Sequence, residues 1–318
     1  MLQATRPVWS AQYLRTGALV LVAALIGLYL YTYAPSFFKL NNAVNILVQA
    51  SILGVLAIGM TYVLVSGGID LSLPANMALA SVLGGLYVQG GGSIVVGCFI
   101  MVAAATALGT MNGIAVAYLR MIPFVVTLAT MTLASGAAVW LSESVSITGF
   151  PESFFDVLLA RVGGVPLSVY VLGALTLISS LIFSSTIFGR WLYAIGINTR
   201  AAQVARVPIG LVTWLSYAVA GLMAGITAIL LTARLGSASA NMGSDSVVLD
   251  IVSACVVGGV SIYGGVGRPL GAVLGAIFIT ALSNSLNLLG VSFYFSLIVK
   301  GCVIIGFISL DNLARQPR

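Results

Sequence analysis

Along the chain, apolar runs of membrane-crossing length alternate with short breaks of Gly, Pro, Ser, Asn and charged residues. Ten runs stand out, at residues 17–34, 42–65, 75–89, 93–118, 123–141, 167–187, 209–232, 248–263, 269–289 and 293–311. Most reach about 18 residues, enough to cross ~30 Å of hydrocarbon at ~1.5 Å per helical residue. They are apolar on all sides and do not alternate with period two, so helices are expected and not the strands of a membrane barrel. The pattern predicts an all-α fold, a polytopic integral membrane bundle of about 10 transmembrane segments. The first run follows Arg6 and Arg15, as a secretory leader would, but it lacks a small-x-small cleavage site and Pro35 follows it. It is read as the first span.

Charge sets the orientation. Cytoplasmic loops collect Lys and Arg. With ten spans and both termini inside, Arg6, Arg15, Arg120, Arg190, Arg200, Arg206, Arg268, Arg315 and Arg318 fall on the cytoplasmic side, nine of the thirteen basic residues. The opposite orientation would put most arginines outside. The expected organisation is a cytoplasmic segment 1–16, one transmembrane domain 17–311 and a cytoplasmic tail 312–318. The net charge of +6 then follows from topology, and a nucleic-acid partner is not needed.

Two breaks are long. The outer one, 142–166, places Phe154, Phe155, Leu158 and Leu159 at helical spacing, as an amphipathic surface helix would. It reads either as a lid packed on the bundle or as a docking site for an external partner. The inner break, 188–208, carries Arg190, Arg200 and Arg206 and a Gly-Asn interruption at 196–198. After it, Thr199 to Val207 reads as a short helix capped by Asn198 or Thr199 and stopped by Pro208. Ala201, Ala202 and Ala205 would give that helix a small-residue surface suited to a groove on another protein; an ordinary basic loop is the alternative.

Composition removes other classes. Only 6% of residues are charged and mean hydropathy is +1.14, against the roughly 25% charge of a soluble domain. Histidine is absent, which removes Ser-His and Cys-His chemistry and HExxH zinc sites. Cys98, Cys255 and Cys302 lie in apolar runs without metal-type spacing, and no P-loop occurs. The chain is expected to be a non-enzyme without a cofactor of its own. Gly264 to Gly271, GGVGRPLG, reads as a tight turn that leads into a helix begun by Pro269. GLMAG at 221–225 and GAVLG at 271–275 allow close helix approach, in a bundle or a dimer.

Polar groups inside spans are costly, which makes them pathway candidates. Asn45 and Gln49 form an i, i+4 pair, and Asn284 and Asn287 cluster in SNSLNLL. Amides donate and accept without charge, which suits a hydroxylated solute; bonding between helices is the alternative. Lys300 lies mid-span and calls for a carbonyl cluster or a carboxylate. The remaining feature is SGGIDLSLP at 66–74, where Gly67 and Gly68 break a span and Asp70 and Ser72 lead into the next.

That motif resembles the SGGIDLS-type motif of permease subunits in ribose-type monosaccharide ATP-binding-cassette importers. LRMIPFVVTLATM (119–131), FGRWLYAIGINTRAA (188–202), LDIVSACVVGGVSIYGGVGRPLGAVLGA (249–276) and NSLNLLGVSFYFSLIVKG (284–301) are also similar to that family, in the same order. The resemblance covers most of the chain from about residue 40. It implies a dimerising permease in the bacterial inner membrane, moving a pentose, hexose or related polyol. The implied partners are a second permease subunit, a cytoplasmic ATPase that carries ATP and Mg, and a periplasmic sugar-binding protein. It also implies that 188–208 is the ATPase-coupling element, where Arg190, Asn198, Ala201 and Ala202 match; the loop's other arginines, Arg200 and Arg206, are added to it as candidates. The chain departs from the family at Ser72-Leu73-Pro74, where Ser-Val-Gly is common, and at Thr199-Arg200, where an acidic residue is common. For the break at Gly67 and Gly68, Asp70 is expected to accept freed backbone N–H groups or to cap the next helix. Two alternatives stay open: a permease for branched-chain amino acids or another small solute, and an ion-coupled secondary transporter that uses Asp70 and Lys300.

Overall fold

The structure, a computed structural model, describes residues 29–315. The first expected span lies mostly outside the described residues; its last part is helical from 29 to 33 and leads into a 3-10 turn, Pro35–Phe38. The other nine expected spans each fall on a helix. These are α1 Leu40–Val65, α2 Leu73–Gln89, α3 Ile94–Ala117, α4 Pro123–Ser142, α6 Leu167–Ser185, α9 Ile209–Leu235, α10 Asp245–Val257, α11 Pro269–Leu288 and α12 Phe293–Arg315. Among the described residues six are long and apolar enough to cross a membrane, namely α1, α3, α4, α6, α9 and α11.

The differences from the sequence reading have local causes. The eighth run stops being helical at Val257, because Gly258 and Gly259 follow and Gly259 takes φ +80°. The outer break holds a short helix, α5 Glu152–Leu158, and a two-residue hairpin, β1 Arg161–Val162 with β2 Val165–Pro166. Phe154 is buried and stacks on Phe150 at 5.3 Å, whereas Leu159 faces outward, so α5 lies on the bundle along one apolar edge narrower than expected. The inner break is almost wholly helical, with α7 Ile187–Ile197 and α8 Thr199–Val204. Thr186 caps α7 by accepting the Gly189 N–H, and Asn198 caps α8 by accepting the Ala201 N–H.

Two runs of four helices have matching plans. In each, a long helix (α1 or α9) is followed by irregular chain, a short helix (α2 or α10), and two longer helices. Helix α2 starts inside the bundle, with Leu73, Pro74 and Ala75 buried, and the chain that leads into α10 lies beside that start: a Cβ on Gly243 would stand 2.7 Å from the Pro74 carbonyl. Pro74 sits in the first turn of α2, where a missing N–H costs nothing.

The core is centred on α1, which touches α6, α9, α10 and α11. From Gly54 to Ser66 every residue of it is buried. The most extensive crossing is α3 with α9, and glycines bring the two helices together. A Cβ on Gly113 would stand 2.7 Å from the Trp214 carbonyl, and one on Gly225 would stand 2.7 Å from the Val102 Cα. GLMAG thus works within the chain, and GAVLG does the same where Gly271 and Gly275 meet Gly258 and Ala254.

Candidate functional site

Three polar or glycine-rich places interrupt the apolar bundle. The first is the break at 66–72. Gly67 takes φ +85°, and the chain turns inward so that Asp70 is fully buried. One carboxylate oxygen, Oδ1, accepts the Ser72 N–H at 2.9 Å and the Ser72 hydroxyl at 2.6 Å. Ser72 Oγ accepts the amides of Asn76 and Asn112, both at 2.9 Å, and Thr130 donates to Asn112 at 2.5 Å. This network ties the break to α2, α3 and α4. Tyr217 of α9 donates to the Ile69 carbonyl at 3.1 Å and closes the fourth side. Asp70 accepts a backbone N–H, as the sequence indicated, but it does so two residues on in an Asx-type turn; the Ser72 position that opens α2 has no side-chain cap. Ser72 is the hub. Ser72→Ala would strip Asn76 and Asn112 of their acceptor, and each buried orphan costs about 1–3 kcal/mol. A clearly lower unfolding midpoint of the purified protein in detergent is expected; an unchanged midpoint would show that the network contributes nothing.

The second place is a junction of glycines at the end of the bundle where α7 and α8 lie. Gly265 donates its N–H to the Val65 carbonyl at the end of α1, at 2.9 Å. A Cβ on Gly264 would stand 3.0 Å from both the Gly196 carbonyl and the Gly67 Cα, and one on Gly196 would run into the Val65 carbonyl and the Gly265 nitrogen. Gly264 and Gly265 also have positive φ, +90° and +71°. Three distant sequence segments, SGG, AIGIN and YGGVG, therefore meet backbone to backbone. Tyr193 of α7 latches the same turn by donating to the Gly267 carbonyl at 2.6 Å. Burial raises the Tyr193 phenol pKa, outweighing the lowering influence of Arg268, and so keeps it a donor.

The residues expected in the 188–208 segment are placed as follows. Arg190, Arg200, Ala201 and Arg206 are exposed, with Arg206 at φ +59° where α8 ends. Asn198 is the cap of α8. Ala202 is turned inward and buried, which corrects the expected alanine surface: α8 uses it to sit on the bundle.

The third place is a cavity of about 250 Å³ among α1, α2, α9, α10, α11 and α12. Gln49, Arg234, Thr280 and Ser283 supply its polar wall together with one ion pair. Lys300 donates to both oxygens of Asp250, at 2.9 and 3.0 Å, which is the carboxylate its mid-span position required. The other path candidates separate. Asn45 and Asn287 are exposed and do not line the cavity. Asn284 is buried and exchanges two hydrogen bonds with Asn42, at 2.9 and 3.1 Å, so it joins helices. Sequence reasoning missed Asp250, Asn42, Asn112 and Thr130. Asn112 was findable as a mid-run amide, while the others are matched to their partners only by the fold. Among the described residues no cluster of three or more metal-ligating side chains occurs.

Long apolar helices that leave almost no strand among the described residues make this a multi-pass helical membrane protein. The chain belongs to the family described as branched-chain amino acid transport system / permease component, whose profile matches residues 42–308. It is 36% identical over 305 residues to the ribose import permease protein RbsC of Escherichia coli (strain K12), covering 93% of this chain and 92% of that protein. RbsC of Bacillus subtilis (strain 168) is 36% identical over 280 residues, 87% of each chain. The galactose/methyl galactoside import permease protein MglC of E. coli (strain K12) is 33% identical over 320 residues, 95% of each. No solved structure matches the chain.

Proposed function

We propose that this chain is the membrane permease subunit of an ATP-binding-cassette importer that moves a monosaccharide across the bacterial inner membrane. The observation that carries the proposal is the likeness, over nearly the whole chain, to permeases named for ribose and galactose import. The three relatives named above bear sugar names, which favours a monosaccharide over a branched-chain amino acid. The cavity agrees with this reading. An amide, two hydroxyls and a guanidinium suit a neutral polyhydroxylated solute, and about 250 Å³ lies just under the ~300–1,000 Å³ of drug-sized sites.

In this reading both termini and the α7–α8 end face the cytoplasm, where most of the arginines lie. A separate ATPase binds ATP and Mg and presses on α7 and α8 through Arg190, Arg200 and Arg206. The glycine junction passes that displacement to the end of α1 and to the 66–72 break. A second permease subunit completes the path, and a periplasmic binding protein delivers the sugar to the α5 and hairpin side. Chemistry on a covalent bond has no place in this chain's part of the cycle.

The test is a mild-detergent purification from native membranes with mass spectrometry of what accompanies the chain, for wild type and for the Arg200→Glu, Arg206→Glu double variant. Recovery of an ATPase with wild type and its loss, tenfold or more, with the variant is expected. If wild type comes alone and vesicles take up sugar on an ion gradient without ATP, the importer reading fails and a secondary transporter replaces it.

A further inference from the structure

The flank of the bundle between α6 and α11 holds an open groove of about 940 Å³ that solute transport leaves unused. Leu177 and Leu181 on one wall and Leu270 and Leu274 on the other are each more than half exposed, so the groove opens sideways toward lipid. Gly265, Val266 and Gly267 of the glycine turn line it, and Arg268 stands at the end where α11 begins. In the proposed orientation that is the cytoplasmic end of the groove.

Arg268 is exposed and has no carboxylate partner among the described residues. The first turn of α11 holds no acid and no side-chain cap, so the positive end of the helix adds to the same field. Tyr193, beside Arg268, is occupied by the Gly267 carbonyl and does not neutralise it. An unpaired guanidinium beside an apolar slot matches one kind of molecule in shape and charge: an anionic headgroup carried on acyl chains. A free phosphate ion would find the charge and leave the leucine walls bare. A zwitterionic lipid would bring its own cation to compete with Arg268.

We propose that this groove is a binding site for a net-negative membrane phospholipid, with its phosphate on the Arg268 guanidinium and an acyl chain between α6 and α11. The bound lipid would rest on the turn whose Gly264 and Gly265 meet Gly196 and the end of α1. Lipid composition would thereby bear on the junction without touching the solute path.

The test is native mass spectrometry of the full chain released from nanodiscs made of phosphatidylglycerol and phosphatidylethanolamine in equal amounts. Wild type is expected to retain one phosphatidylglycerol, and Arg268→Gln to retain at least fivefold less. Leu274→Trp, which fills the slot and keeps the charge, should lose it too, and Arg268→Lys should recover part of it. Equal retention in wild type and Arg268→Gln, or indifference between the two lipids, overturns the proposal. Displacement of the lipid by millimolar inorganic phosphate would also overturn it, because the site would then be one for a free anion.

Discussion

Gly196→Ala is expected to lower ATP-driven sugar uptake into vesicles by tenfold or more while leaving the chain in the membrane. The added methyl has nowhere to go: it meets the Val65 carbonyl on one side and the Gly265 nitrogen on the other, and both are backbone atoms that cannot rotate away. Forcing a group of this size into a filled place costs about 1–3 kcal/mol, and about 1.4 kcal/mol corresponds to a factor of ten. The least costly relief is for α7 to pull back from the end of α1, which opens the contact that the proposed coupling uses. ATP hydrolysis by the partner should therefore continue while uptake falls. Gly136→Ala and Gly173→Ala are matched controls, because a Cβ at either position meets nothing within 4 Å. Wild-type uptake in Gly196→Ala would remove the junction from the mechanism.

The second large effect concerns the ion pair in the cavity. Lys300→Met leaves Asp250 without its counterion in a site where its side chain is only 23% exposed. Breaking a buried pair from one side costs about 3–5 kcal/mol, most of it the desolvation of the charge left behind. Loss of folded protein, read as a much lower detergent-unfolding midpoint, is the expected result. Lys300→Met with Asp250→Leu removes both charges and should recover most of that stability. If uptake returns along with the midpoint, the pair is structural. A recovered midpoint without uptake would assign Asp250 and Lys300 to the solute path. If the single variant is as stable as wild type, the charges are solvated and the cavity is wetter than its walls imply.

Hydrophobic runs made the helices legible because a bilayer enforces one rule along the whole chain: backbone groups must be satisfied within a segment. Nine runs accordingly matched helices, and prolines 123 and 269 marked two of the starts. The 248–263 run ends as a helix at Val257, earlier than expected, because Gly258 and Gly259 add no polar side chain to interrupt the run and yet stop the helix. Polar partnerships were less legible. Lys300 announced a need for a partner, yet nothing local pointed to Asp250, 50 residues earlier and on another helix. Asn284 looked equally suited to solute and to packing, and Asn42, 242 residues away, decides for packing. Ala202 shows the limit of counting small residues: a six-residue helix has few positions, and which one faces inward depends on the surface it lies on.

The Asp70 network also sets an order of assembly during synthesis. Helix α1 can enter lipid as soon as it is made, because no charged residue lies within it. The break behind it cannot settle so early. Ser72 needs the amide of Asn112, and Asn112 needs the hydroxyl of Thr130, which lies 60 residues beyond Asp70. At about 5–20 residues per second, roughly 3–12 s pass before those partners leave the ribosome. Until then Ser72 has only its near neighbours Asp70 and Asn76 as partners, and the network can join α2 to α3 and α4 only once all three helices are present.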